Sequence, residues 1–218
     1  QSIWTAFLDD VLLGGNGTMP FSATTGHPYT GQPPFTLWAI SLKPESRGQL
    51  MWMKYFDSMP GNVTLLRGPV DAESRVFVIT QKETIIMDGY DLDTGKYLYT
   101  TNRQTDFDYY ISGSVASWPK IAYGNLYSSA YGGIVYCYDA KTGDLKWTYG
   151  NGDEGNSTSS GVETVWGRYP TFIGAFADGK LYTYVIEHSP NTPIYKGARF
   201  RCINATSGEE IWTLLGFG

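Results

Sequence analysis

Charge is scarce in this 218-residue chain: Asp, Glu, Lys and Arg together make up 17%, below the roughly 25% usual in soluble domains. The balance is acidic, with a formal net charge of -5. Nucleic acid and anionic membrane surfaces are polyanions, so neither has an electrostatic reason to bind, and both are discounted as partners. Long apolar runs are missing too. The hydrophobic stretches are broken by Gly or Tyr, and none reaches the about 20 residues that span a bilayer, so no direct membrane insertion is expected of this segment. Cysteine and histidine number two each. His27 and His188 lie far apart with no ligand spacing, and Cys137 and Cys202 lack the paired Cys-x-x-Cys spacing of a zinc site. Each cysteine sits in an apolar strand-like run and reads as a buried thiol, not as part of a disulfide framework. No sustained helical period appears anywhere, so almost no helix is expected. The chain starts at Gln1 without an initiator Met, a basic n-region or an apolar h-region, and reads as a mature or excised segment whose signal peptide is absent or removed.

What the sequence has in abundance is turn formers and rings: 26 Gly, 17 Tyr, 7 Trp and 10 Phe, with hydrophobic residues at 42%. They are arranged in a repeat. The segments LWAISLKPESRGQLMW, MDGYDLDTGKYLY, YCYDAKTGDLKW and RCINATSGEEIW share one register. In each, a strand-like run enters a polar turn closed by Gly48, Gly95, Gly143 or Gly208, and an aromatic follows four residues later: Trp52, Tyr99, Trp147 or Trp212. Glycine is placed where a hairpin needs positive φ, and Asp91, Asp139 and Asn204 are placed to cap the turn through side-chain to backbone hydrogen bonds. The aromatic then lies on the strand leaving the turn, where a flat ring can pack on a neighbouring sheet, so it reads as a docking residue and not a catalytic one. Glycine spacings of about 47, 48 and 65 residues have the size of propeller blades, the last with an insertion of about 17 residues.

Two further strands precede each turn, which makes four per unit. The third unit reads as strands at 119–123, 125–130, 134–139 and 144–149, and the fourth at 171–176, 180–186, 198–203 and 209–214. The first fits less cleanly, at 2–7, 10–14, 35–42 and 49–56. The expected organisation is all-β, one region spanning 1–218, with units at about 1–56, 57–101, 102–149 and 150–218.

These repeats resemble the tryptophan-docking repeats of the pyrroloquinoline-quinone (PQQ)-like β-propellers, and the stretch from Tyr136 to Trp147 carries the likeness best. The stretch EHSPNTPIYKGARFRCINATSGEEIW, residues 187–212, is similar to large archaeal cell-surface proteins of that group. The resemblance covers nearly the whole chain and implies a β-propeller of four-stranded blades. Propellers of this group have seven or eight blades, so four blades imply part of a longer polypeptide, two copies completing one ring, or a four-bladed ring. Function is not implied, because the group holds quinoprotein dehydrogenases, outer-membrane assembly scaffolds and surface proteins without an assigned reaction.

The four strands of such a unit, lettered a to d in chain order, form a meander whose a–b and c–d turns leave at one end and whose b–c and d–a loops leave at the other. The long segments, residues 16–34, 101–110, 150–169 and 187–197, all fall on the second end, which is the candidate binding face. It gathers His27 and Tyr29 from the first insert, Asp106, Asp108 and Tyr109 from the second, Trp166 and Arg168 from the third, and Glu187, His188 and Asn191 from the fourth. A polar and aromatic mixture suits a protein or glycan partner, copies of the chain itself included.

No catalytic set can be nominated. Carboxylates are scattered, a Gly-x-Ser-x-Gly elbow and a phosphate loop are absent, and Asp88, Asp91 and Asp93 lack the Gly and closing Glu of a calcium loop, leaving a solvated turn. Quinoprotein dehydrogenases use an adjacent cysteine pair and a Ca²⁺ cluster beside the quinone. The sequence departs from that pattern, so no cofactor and no metal is expected, with PQQ and calcium as the alternative. Four of the Asn residues, Asn16, Asn62, Asn156 and Asn204, open Asn-x-Ser/Thr sequons, an excess that suits an extracellular or cell-surface glycoprotein. The expectation is a non-enzymatic, secreted β-propeller module that binds through its loop face. The alternative is a PQQ- and calcium-dependent dehydrogenase or a fragment of one.

Overall fold

The computed structural model describes residues 2–18, 33–57, 63–82, 84–102, 119–129, 133–150, 171–184 and 199–215. These fall into two compact units, one made of residues 1–103 with 140–143, the other of 104–139 with 144–218. Every sheet is a four-stranded antiparallel meander whose spatial order is its sequence order. Among the described residues there is no α-helix, only a 3-10 turn at Pro44–Ser46.

The first unit holds two sheets. One is β1 (Ser2–Phe7), β2 (Val11–Gly17), β3 (Phe35–Ser41) and β4 (Leu50–Phe56); the other is β5 (Leu65–Asp71), β6 (Val76–Gln81), β7 (Ile86–Asp91) and β8 (Tyr97–Thr100). Alternation in β3 sets the faces, since Phe35, Leu37 and Ala39 are fully buried while Thr36, Trp38 and Ile40 are not, as the period of two requires. The buried face packs with Leu13, Trp52 and Phe56 against Leu65, Phe77 and Ile79 of the second sheet in one core. Rings fill that layer: Trp52 stacks on Phe77 at 5.7 Å and Phe77 on Tyr90 at 5.1 Å.

The second unit holds β9 (Lys120–Ala122), β10 (Asn125–Ser129), β11 (Val135–Asp139) and β12 (Leu145–Tyr149), and then β13 (Phe172–Ala177), β14 (Lys180–Tyr184), β15 (Arg199–Asn204) and β16 (Glu210–Leu215). Its core joins Tyr127, Val135 and Cys137 to Ile173, Leu181 and Ile203.

The strand expectations differ from the structure mainly at their ends. Strand β2 continues to Gly17, which pairs with Phe35, so Asn16 and Gly17, read as part of the first insert, belong to the sheet. The register explains it: the hairpin keeps pairing until Gly17 turns out at φ +86, a conformation glycine adopts without a steric cost.

Candidate functional site

The four c–d turns share one hydrogen-bond pattern. The backbone N–H groups of Ser41, Asp91, Asp139 and Asn204 donate to Gln49, Lys96, Asp144 and Glu209 across the hairpin. Gly48, Gly95, Gly143 and Gly208 all have positive φ, from +67 to +85. Side chains fix the turns from within. Asp91 Oδ1 accepts from the N–H of Asp93 and Thr94 and from Thr94 Oγ1, and Asn204 Oδ1 accepts from the N–H of Thr206 and Ser207. Ser41 does the same work in the first sheet, taking the N–H of Lys43. Sequence reasoning missed it, although serine at the Asp/Asn position of the repeat was the available signal.

Three of the four turns receive a ring from the preceding repeat. A Cβ built on Gly95 would lie 2.5 Å from Trp52, one on Gly143 2.2 Å from Tyr99, and one on Gly208 2.6 Å from Trp147. No side chain longer than hydrogen fits beneath these rings. Polar atoms fix the docking further: Trp52 Nε1 donates to Leu92 O at 2.8 Å, and Tyr99 Oη to Ala140 O at 2.9 Å. In the second unit the equivalent carbonyl, Ala205 O, accepts instead from Tyr127 Oη at 3.0 Å. Trp147 Nε1 is buried with no hydrogen-bond partner among the described residues. Trp212 is 38% exposed, and a Cβ on Gly48 would meet nothing within 4 Å.

The cysteines are explained by the same geometry. The residue directly across the ladder from each docking ring is Ala39, Gly89, Cys137 or Cys202, a small residue each time. Both thiols are fully buried and free, and burial pushes the Cys137 thiol up to about 12, far from the lowered range of reactive thiols.

The acidic triplet is dispersed. Asp88 is buried, not solvated as its sequence context suggested, and accepts from Gln81 Nε2 and Thr100 Oγ1. Asp91 caps its turn, and Asp93 takes a two-pronged hydrogen bond from Arg75, whose remaining nitrogen reaches Asp10. That Arg75 bridge holds the Asp93 carboxyl below the usual carboxylate range and raises the guanidinium above its own. It ties the first two sheets together, and nothing local in the sequence announces it. Basic groups are engaged as well: Lys54 Nζ lies 5.0 Å from the Tyr90 ring centre, where burial lowers its pKa, and Lys146 Nζ donates to Asn125 Oδ1 at 2.8 Å. Arg201, missed in the sequence as a core residue, is among the largest fully buried side chains.

The loop-face residues His27, Tyr29, Asp106, Asp108, Tyr109, Trp166, Arg168, Glu187, His188 and Asn191 lie outside the described residues, as do the sequons at Asn62 and Asn156. Asn16 is exposed on β2, and Asn204 sits in its turn. Among the described residues no three of His, Cys, Asp and Glu group to hold a metal. Cys137 and Cys202 lie in separate sheets, each across the ladder from a docking ring.

A family model described as outer membrane protein assembly factor BamB matches residues 36–192. The chain belongs to this family. As a PQQ-like repeat protein it shares the β-propeller fold with a europium-containing methanol dehydrogenase, at TM-score 0.50 and 12% identity over 93% of this chain and 39% of that one. It is also similar to BamB from Moraxella catarrhalis, at TM-score 0.41 and 12% identity over 96% of this chain and 62% of that one. A quinohemoprotein alcohol dehydrogenase from Comamonas testosteroni matches at TM-score 0.43 and 16% identity, over 65% of this chain and 20% of that one. The PQQ-like chain therefore spans less than two thirds of these solved relatives. No curated protein matches its sequence. Among the described residues no helix is long and apolar enough to cross a membrane.

Proposed function

We propose that this chain is a non-catalytic binding module of an exported, cell-surface β-propeller, and that it engages a protein or glycan partner through its b–c and d–a loops. The observation that carries the reading is how the chemistry of the sheets is used. Asp88, Asp91, Asp93 and Asn204 hold turns and neighbouring sheets, and both thiols are buried across the ladder from a docking ring. Groups consumed in this way serve a scaffold, and on rigid scaffolds recognition concentrates in the loops. Membership of a family described as an outer membrane protein assembly factor supports a protein-contacting role. In this reading Tyr109 and Trp166 anchor the partner, with Asp106, Asp108, Arg168, Glu187, His188 and Asn191 supplying polar contacts, and His27 and Tyr29 extending the face.

The test is a binding screen of the purified chain against glycans and extended peptides, repeated with Tyr109→Ala, Trp166→Ala and His188→Ala. Loss of binding in these variants with an unchanged melting temperature supports the loop face. Saturable uptake of PQQ with Ca²⁺, followed by ultraviolet absorbance and coupled to dye reduction, would overturn the non-catalytic reading.

A further inference from the structure

On its buried side, β4 breaks its own pattern once. Trp52 and Phe56 are buried there, and the residue between them, on the same side by the period of two, is Lys54. Its ammonium lies 5.3 Å from the Phe56 ring centre and 5.0 Å from that of Tyr90 on the facing sheet. Rings attract a cation, but among the described residues no oxygen accepts from Lys54 Nζ and no carboxylate pairs with it. Burial lowers its pKa, and no neighbouring acid acts against that shift. Asp88, a carboxylate of the facing sheet, is committed to Gln81 Nε2 and Thr100 Oγ1. A charge set at a core-facing position without a partner is a departure from what folding alone requires, and such departures mark functional positions.

The second unit shows how the same positions are filled in another repeat. Tyr149 follows the docking ring Trp147 as Lys54 follows Trp52, by two residues. The c–d turns put Asn204 in the register of Asp91, and the ladders then match: Ile203 pairs with Glu210 and Arg201 with Thr213, as Tyr90 pairs with Tyr97 and Asp88 with Thr100. In the second unit a carboxylate closes the junction, Glu210 accepting from Tyr149 Oη of the preceding repeat and from Thr213 Oγ1. In the first unit the donor from the preceding repeat is present, as Lys54, but the carboxylate is not. Tyr97 stands in its place, 53% exposed, with its ring edge-on to Tyr90 at 5.9 Å. The Tyr97 hydroxyl donates to Thr100 Oγ1 at 2.8 Å, because the single Thr100 hydroxyl proton goes to Asp88.

We propose that Lys54, with the exposed Tyr97 ring across from it, binds a carboxylate supplied from outside the chain, which takes the part that Glu210 plays in the second unit. The chemistry of the ligand follows from the repeat: the position that donates in one junction to a carboxylate of the next sheet donates in the other to a carboxylate that the next sheet lacks. Lys54 Nζ offers it charge-assisted hydrogen bonds, and the rings of Phe56 and Tyr90 hold the ammonium in place. Lys54 is half-buried and Tyr97 largely exposed, so the ligand reaches the ammonium without opening the core. A small organic acid and an acidic side chain carry the same group. The site uses none of the loop residues, so it is independent of the loop-face reading.

Titration of the 218-residue chain with sodium acetate, followed by the nuclear magnetic resonance signals of Lys54, Tyr90 and Tyr97, tests it. Sodium chloride at matched ionic strength is the control, because screening alone is not binding. The expected result is a saturable shift of these signals with acetate. A terminally blocked Gly-Glu-Gly peptide forms the second arm: tighter binding than acetate identifies an acidic protein segment as the source, equal or weaker binding a free acid, and either supports the site. Lys54→Met, which keeps the apolar stem, should weaken binding by about tenfold or more. Tyr97→Glu, at an exposed position, supplies the carboxylate from within, so acetate should no longer bind and the melting temperature should rise; it keeps the test open should Lys54→Met lose its fold. Equal shifts with acetate and chloride, acetate binding unchanged by Lys54→Met, or a Tyr97→Glu chain that binds acetate as the wild type does overturns the proposal.

Discussion

Two glycines allow the docking geometry to be measured apart from backbone strain. Gly95 and Gly179 have nearly the same φ, +67 and +68, but a Cβ on Gly95 would lie 2.5 Å from the Trp52 ring while one on Gly179 meets nothing within 4 Å. Alanine at either position carries the same left-handed cost, about 1–2 kcal/mol. At Gly95 it must also push the ring outward. Overpacking of this kind costs about 1–3 kcal/mol, and the displaced indole leaves the Leu92 carbonyl without its 2.8 Å donor, worth a further about 1 kcal/mol or more. Gly95→Ala should therefore destabilise the chain by about 2–4 kcal/mol more than Gly179→Ala, read from urea denaturation followed by circular dichroism. A double-mutant cycle sharpens this. Trp52→Ala alone should cost about 3–5 kcal/mol, but in that background the clash is gone and Gly95→Ala should fall back to the cost of Gly179→Ala. Equal losses for the two glycines in the wild-type background, or additivity in the cycle, would refute the docking account.

The other expectations follow from the same contacts. Tyr99→Phe strands the buried Ala140 carbonyl and should cost about 1–3 kcal/mol, whereas Trp147→Phe removes an indole N–H that has no partner among the described residues and should cost clearly less in the same denaturation assay. Cys137→Ala should stay within about 1 kcal/mol while Cys137→Leu costs about 1–3 kcal/mol, because Cys137 is fully buried across the ladder from Trp147 and a larger side chain overpacks the core; native Cys137, its pKa pushed up to about 12, should resist thiol reagents until the chain unfolds. Asp93 has its pKa lowered by Arg75, so its contribution is present above the ordinary carboxylate pKa of about 4 and is lost as pH falls below it; Arg75→Gln should flatten that acid limb in thermal melts across pH. Asn204→Asp should keep the turn, as Asp91 does in its own, and abolish any glycan there, so intact mass before and after glycosidase separates occupancy of Asn204 from that of exposed Asn16.

What could be read from the sequence was what a few neighbouring residues decide. A turn needs its capping side chain and its positive-φ glycine within five residues, so DLDTG, DAKTG and NATSG identify their hairpins without any knowledge of the rest of the chain. The ring four residues further on is legible for the same reason. The identity of the residue across the ladder was not, because Cys137 and Gly89 look unrelated until the pairing places both opposite a docking aromatic. Nor was the Arg75 bridge, which joins Asp10 and Asp93 from separate turns; a charge set by two distant turns leaves no local period. The same limit applies to function. A repeat that spends its polar groups on its own turns and its rings on the next repeat leaves the loops for recognition, where residue types suggest a partner but no spacing specifies it.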